Sequence, residues 1–143
     1  MDFDYETYDR EVNKIREINK AYLTDFEQWL KNKGLTEKTI YKHVKNVEFY
    51  INDFLCYYDA LDVKHGCYEI NHFLGGWFIR KTSWASCGNI KSNAASIKKF
   101  YEFMLEKAIV EQVDYHNLCE TIKDEMPEWL EEMNRYDSIE YDW

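Results

Sequence analysis

Lysines recur beside short polar side chains in two stretches of this 143-residue sequence. Lysine neutralises phosphates, and hydroxyl, amide and imidazole groups hydrogen-bond to phosphates or to base edges, so the combination is typical of contact with a nucleic acid. An equally simple interpretation is that the lysines keep two helices soluble. The candidate residues for binding DNA are Lys38, Thr39, Lys42, His43, Lys45, Arg80, Lys81, Lys91, Lys98 and Lys99.

Two features narrow this hypothesis. Arginine is scarce among the candidates, so we expect little direct readout of guanine. His43 taken alone is more typical of a partly buried histidine than of a residue that reads bases.

The sequence lacks the motifs that mark common catalytic and metal sites. It has no Gly-rich phosphate loop, HExxH, GxSxG or EF-hand pattern. Its four cysteines form no CxxC pair, and Cys67 with His72, or His116 with Cys119, matches no standard zinc spacing. We therefore expect no enzyme, cofactor, metal or small-molecule substrate.

The net charge of −9, from 18 bases and 27 acids, counts against a nucleic-acid partner. The distribution of charge changes that interpretation. Residues 1–9 hold four acids and no base, and residues 111–143 hold eleven acids and two bases. Residues 10–110 keep sixteen bases against twelve acids, and 79–101 contains five bases without an acid. A modestly basic body is thus flanked by acidic ends.

Composition also sets expectations for location. The longest apolar runs are far shorter than the ~18–20 residues that span a bilayer, and the acidic N-terminus lacks the apolar core of a secretory signal. We expect a cytoplasmic protein without membrane contact, whose cysteines are reduced thiols.

The elements that position the candidate residues follow helical spacing. A first helix ends at Gly34, which takes the left-handed conformation that closes a helix. Thr36 is the N-cap of a second helix, which runs to about Tyr58. The predicted core stripe of the first helix is Ile15, Ile18, Tyr22, Phe26 and Leu30, and that of the second is Ile40, Val44, Val47, Ile51 and Leu55.

Further helices are predicted in the second half of the chain. One covers residues 68–82 and buries Ile70, Phe73, Leu74, Trp77 and Phe78; its Gly75-Gly76 pair suggests that another backbone packs closely there. Ser86 caps the next, whose core side is Ile90, Ala94, Ile97, Tyr101, Met104 and Ala108.

The C-terminal region completes the predicted fold. A helical segment covers 114–126, Pro127 starts a short last helix over 128–135, and the tail 136–143 is loosely held. We predict an all-α fold, a compact bundle of four to six helices. Residues 1–112 form the domain, with an acidic N-terminal extension, and residues 113–143 form an acidic C-terminal helical segment and tail.

Two segments resemble the core-binding domain of tyrosine recombinases, the phage integrases. The first comprises Phe26-x-x-Trp29-Leu30, Lys33 to Ile40 and Asn46-Val47-x-x-Tyr50-Ile51, and the second runs from Ile90 to Met104. The resemblance covers about residues 22–110. It implies a SAM-like bundle of four helices that grips DNA from one side with its second and fourth helices. By position, Lys38, Thr39, Lys42, Lys91 and Lys98 would face the DNA.

The chain also departs from that family. A catalytic domain follows in the family, whereas only about thirty residues, of acidic composition, follow the fourth helix here, so we expect no strand cleavage. The favoured hypothesis is a non-catalytic module that binds double-stranded DNA, an accessory or remnant of a site-specific recombinase. In one variant, the acidic C-terminal segment covers the lysines as an internal phosphate mimic.

The alternative is a protein–protein interaction domain that keeps the bundle and does not bind DNA, with another protein or a second copy as its partner. The net charge of −9 and the 17% aromatic content favour it, because aromatic residues, here including Trp84, Trp129 and Trp143, are enriched in protein interfaces.

Overall fold

The computed structural model describes residues 4–141, and the side chains of residues 4–139. These residues form helices and loops without a strand, which confirms the predicted all-α class. The α-helices are α1 (Tyr5–Asn32), α2 (Glu37–Glu48), α3 (Ile70–His72), α4 (Phe78–Lys81), α5 (Cys87–Glu106) and α6 (Gln112–Tyr141). π-Helical turns cover Phe49–Phe54 and Phe73–Trp77, and a 3₁₀ turn covers Val63–Cys67.

The chain packs as two compact units, the first up to Gly66 and the second from Cys67. These are units of packing, and the domain boundary expected after residue 112 stays a prediction. No described helix combines the length and apolar character needed to cross a bilayer.

In the first unit, the face that α1 turns to the core only partly coincides with the predicted stripe. Phe26 and Leu30 are buried as expected, whereas Ile18 is 55% exposed and Asn19 is buried. Asn19 is accommodated because its amide donates to the Ile51 carbonyl at 3.3 Å and to Asn52 Oδ1 at 2.9 Å. The apolar residues of α1 therefore form two neighbouring stripes, and the predicted stripe through Ile18 is only partly the core one.

The helix ends follow local chemistry. Gly34 has a φ of +83° and closes α1 as predicted, with the Leu35 N–H donating to the Leu30 carbonyl. The same geometry closes α5, but there Ala108 takes the left-handed position, with a φ of +58°. Ala108 is exposed and lies beyond the helix, so its predicted place on the core side is wrong.

Thr36 caps α2 as predicted, because its hydroxyl accepts from the Thr39 N–H. The backbone continues past Glu48 as the π-helical turn and not as an α-helix to Tyr58. The Tyr50 hydroxyl fastens this turn by donating to the Gly66 carbonyl at 2.7 Å. Of the predicted α2 stripe, Val44 is half-buried and the other four residues are buried.

In the second unit, the predicted helix over 68–82 is built from α3, a π-helical turn and α4, and the five predicted core residues are buried. The Gly75-Gly76 pair lies in the π-helical turn. A Cβ at Gly75 would lie 3.0 Å from Trp129 Cδ1, and one at Gly76 would lie 3.0 Å from the Arg80 guanidinium. The atoms nearest to the two glycines are side chains, and α6 packs against this π-helical turn.

Ser86 caps α5 as predicted, accepting from the Asn89 N–H at 3.0 Å. α6 differs from the prediction, because it is one 30-residue helix with Pro127 inside it. The helix continues through the proline because it is anchored on both sides, by buried Leu118 before it and by buried Trp129 and Met133 after it. The predicted loose tail is helical to Tyr141, and residues 142–143, with Trp143, lie outside the described part.

Candidate nucleic-acid interface

A stripe of three lysines runs along the outer face of α2. Lys38, Lys42 and Lys45 are spaced by four and three residues, which places them on one side of the helix. All three are exposed, and the buried residues Ile40 and Val47 lie on the opposite side. Seven residues of α-helix span about 10 Å, so the ammonium groups follow a short line along the surface. We call these three residues the α2 lysine stripe.

The members of the α2 lysine stripe differ in how far they are neutralised. Lys45 pairs with Glu48 at 3.6 Å, and its Nζ lies 5.7 Å from the centre of the Tyr41 ring. For Lys38 and Lys42, no carboxylate of residues 4–139 lies within ion-pair distance. Two of the three positive charges are therefore fully available to an anionic ligand.

The two polar candidates on α2 lie off this stripe. Thr39 is half-buried, and its hydroxyl and amide both bond to the hydroxyl of Thr36 in the helix cap. His43 exposes 9% of its surface, so its ring belongs mainly to the packing of the first unit. Since little of His43 is left for a ligand, the structure favours the partly buried histidine over the base reader.

In the second unit, α5 presents a shorter basic line. Lys91 and Lys98 are two turns apart on its outer side, with exposed Ala95 between them. Neither has an ion-pair partner among residues 4–139. Lys99 is half-buried and pairs with Glu102 at 3.8 Å, so it contributes less net charge to this face.

Arg80 and Lys81 close α4 and are both exposed. They line a groove of about 400 Å³ together with Ser83, Tyr136 and Asp137. The guanidinium of Arg80 folds back over Gly76, and its nitrogens would lie 3.0 Å from a Cβ added there. These two cations therefore border a polar groove and do not extend the outer face of α5.

Three acids of α6 find a partner on their own helix. Arg135 pairs with Glu128 at 2.8 Å, with Glu131 at 3.2 Å and also with Glu132. In the described part of the chain, no α6 carboxylate pairs with Lys91 or Lys98. Within the second unit, no ion pair therefore supports the hypothesis that the acidic C-terminal segment covers the lysines.

The rest of the described chain shows no metal chemistry. Residues 4–139 contain no group of three or more His, Cys, Asp or Glu side chains that could hold an ion. The four cysteines are free thiols, and burial raises the pKa of Cys67 to about 12. A thiol with a raised pKa is a poor nucleophile and a poor metal ligand, so Cys67 acts as a small apolar core residue.

The comparison with protein families bears on the first unit. Residues 4–53 match the family model of the phage integrase SAM-like domain. The resemblance to the integrase domain is confirmed for this part of the chain. The match contains α1, the whole α2 lysine stripe and most of the π-helical turn after α2, whereas the second resembling segment, 90–104, lies outside it. No curated protein and no solved structure matches the chain significantly.

The structure adds one residue that the sequence did not single out as a site residue. Tyr41 lies next to the α2 lysine stripe and is 66% exposed. An aromatic residue between lysines on one helix was the available signal, because basic residues interleaved with aromatic ones are typical of nucleic-acid surfaces. Its exposure could not be read from the pattern, since tyrosine is common in cores and on surfaces.

Proposed function

We propose that this protein is a non-catalytic, integrase-like module that binds double-stranded DNA through its phosphate backbone. The observation that carries the proposal is the α2 lysine stripe, which lies opposite the buried face of its helix inside the residues that match the integrase domain. As a cytoplasmic accessory or remnant of a site-specific recombinase, it would hold DNA for recombination or integration and leave strand chemistry to another protein.

Lysine chemistry favours binding that depends little on sequence. The stripe spans about 10 Å, the axial rise of about three nucleotides in one B-form strand. Lysine contacts phosphates as a point charge, and α2 contains no arginine for bidentate contact with guanine. The proposed role of α2 is to place the protein on the duplex, with Lys91 and Lys98 of α5 as candidates for a second set of phosphate contacts.

A salt titration of duplex binding tests the proposal. Each lost phosphate contact lowers the slope of log K against log salt by about 0.9. We expect Lys38→Gln/Lys42→Gln to weaken binding at low salt and to reduce the slope by about 1.8. The matched control is Lys14→Gln/Lys64→Gln, which removes two exposed lysines of the same unit outside α2. Equal losses in both variants, or no binding of duplex by the full chain at low salt, would refute the proposal.

The absence of catalysis is a separate part of the proposal. We expect supercoiled plasmid incubated with the full chain to stay intact and to carry no covalently bound protein after denaturation. Nicked plasmid or a covalent adduct would show that the chain itself cuts DNA, and the module would then have to be described as an enzyme.

One observation favours the alternative function, an interaction domain for another protein or a second copy. Ile18 is 55% exposed and lines a groove of about 220 Å³ with Ile15, Tyr22 and Val63. Apolar side chains around such a groove are typical of protein contacts. If this groove joins two copies, the chain should sediment as a dimer and Ile18→Asp as a monomer, whereas a monomeric chain would remove the dimer from consideration.

A further inference from the structure

We propose that the groove between α1 and α2 binds an unpaired base of single-stranded DNA, stacked on Tyr41, while the α2 lysine stripe holds the neighbouring phosphates. The inference rests on the proposed function, because the same lysines serve both. It goes further by naming a second form of DNA and a residue that distinguishes the two.

The groove has the size and the walls for a flat ring. Its volume is about 380 Å³, within the range of about 300–1,000 Å³ that is usual for small-molecule sites. The apolar wall is formed by Ile40, Tyr41 and Val44, and the charged rim by Glu27, Lys31, Glu37 and Lys45. A base has two apolar faces and a polar edge, and this arrangement suits it.

Tyr41 is placed to stack. The residue is 66% exposed, and the Lys45 ammonium lies 5.7 Å from the centre of its ring. A base lying on this ring would bring its own phosphate towards Lys45 and Lys42. Stacking of bases on aromatic side chains recurs in proteins that bind single strands and tolerates any base, because every base has a π-face.

The charges of the rim orient the ligand. Glu27 pairs with Lys31 at 3.5 Å, whereas the exposed Glu37 lies at the N-terminal end of α2. A carboxylate at the rim repels a phosphate from the groove, so the phosphates are directed to the outer face with Lys38 and Lys42. The less charged part of the nucleotide, the base, is left for the groove.

Pairing state decides whether a base can reach Tyr41. In a duplex the faces of the bases are covered by their neighbours, and only the edges are open in the grooves. In a single strand the faces are open. Tyr41 should therefore contribute to the binding of single strands and hardly to the binding of duplex.

The experiment compares two ligands by fluorescence anisotropy at one low salt concentration, a labelled 12-nucleotide thymine strand and a labelled duplex. We expect Tyr41→Ala to weaken binding of the single strand about tenfold, within the roughly five- to 150-fold range of one lost stack, and binding of duplex less than twofold. Tyr41→Phe keeps the ring and should restore binding. Tyr58→Ala is the control, since Tyr58 is 61% exposed in the same unit but does not line the groove.

A further ligand tests the same contact from the side of the DNA, because it lacks the base while the protein keeps Tyr41. A strand of the same length with abasic sites keeps its phosphates, so it should bind the full chain about as weakly as the thymine strand binds Tyr41→Ala. Equal binding of the abasic and thymine strands, or equal loss of single strand and duplex in Tyr41→Ala, would overturn the inference. After either result, the proposed function would still hold if duplex binding depended on Lys38 and Lys42. If duplex binding did not depend on these lysines, the proposed function would be refuted as well.

Discussion

At the residue scale, the contact between Gly75 and Trp129 shows why the second unit tolerates two glycines in a helical segment. Trp129 is 1% exposed and its indole N–H donates to Asn71 Oδ1 at 2.8 Å. A Cβ at Gly75 would lie 3.0 to 3.2 Å from both of these side chains. Because the indole is buried and hydrogen-bonded, it has little freedom to move aside.

We therefore expect Gly75→Ala to lower the free energy of unfolding by about 1–3 kcal/mol, the usual cost of overpacking a core. Urea denaturation followed by circular dichroism measures the change. The matched control is Gly88→Ala in α5, where the nearest atom to the new Cβ is Ser86 Oγ at 3.8 Å. That variant should be neutral or gain up to about 1 kcal/mol, since alanine favours helix. Equal effects of the two variants would contradict the packing argument.

A second residue-scale prediction concerns Tyr68 and Asp114. The Tyr68 hydroxyl donates to Asp114 Oδ1 at 2.6 Å, and the Glu111 N–H donates to Oδ2 at 2.9 Å. The bond with Tyr68, and then that from Glu111, holds the pKa of Asp114 below its usual 3.8, while the bond to Asp114 raises the pKa of Tyr68 to about 12.

The signs of these pKa shifts fix how stability depends on pH. A lowered carboxyl pKa stabilises the fold above about pH 4, and this contribution is lost as the pH falls through the lowered pKa. A raised tyrosine pKa stabilises the fold below about pH 10, and this contribution is lost as the pH rises through about 12. We expect Tyr68→Phe to be less stable than the parent at pH 7, with the difference narrowing in acid. Parallel unfolding curves over the whole pH range would contradict this.

At the element scale, α6 contains a proline in its interior, where proline destabilises a helix. Pro127 removes a backbone N–H and crowds the preceding turn, which costs an interior helix about 3 kcal/mol. Pro127→Ala should therefore raise the free energy of unfolding by about 1–3 kcal/mol, which thermal denaturation would detect. A lower stability would mean that the proline sets the direction in which Trp129 enters the core.

The caps that begin and end the helices could be predicted from the sequence. How far each helix continues between its caps could not. Thr36 and Ser86 cap helix N-termini and Gly34 closes a helix, as predicted. These roles depend only on one residue and the neighbouring backbone amides. Pro127 gave a misleading signal, because the buried residues on both sides of it outweigh the local cost. The π-helical turns were not foreseen either, since an i+5 bond changes the side-chain period over only a few residues.

The candidate site divides in the same way. The spacing of Lys38, Lys42 and Lys45 was enough to place them on one face, since helical periodicity is a property of the sequence. Their ion pairs and the burial of His43 depend on packing, and no spacing predicts them. The groove beside Tyr41 depends on where α1 lies against α2, which is a tertiary feature.

At the scale of the whole molecule, the net charge of −9 opposes the approach of any polyanion. Glu120→Gln/Asp124→Asn would bring it to −7 by changing two exposed acids of α6. We expect duplex affinity to rise about two- to threefold at low salt, while the salt slope changes by much less than the ~0.9 of one phosphate contact, because the number of phosphate contacts is the same. The gain should vanish towards 1 M salt, where the screening length is about 3 Å. A slope that changes by about 0.9 or more would mean that these acids lie in the contact surface.

The loop between α5 and α6 contains a position at which one substitution should stabilise the protein. Ala108 holds a backbone conformation that costs an L-residue about 1 kcal/mol and that glycine adopts freely, as Gly34 does after α1. Ala108→Gly should therefore raise the melting temperature by a few degrees without touching a buried side chain. The stabilised variant would be a better background for the binding experiments, because several destabilising substitutions could be combined in it before the protein unfolds.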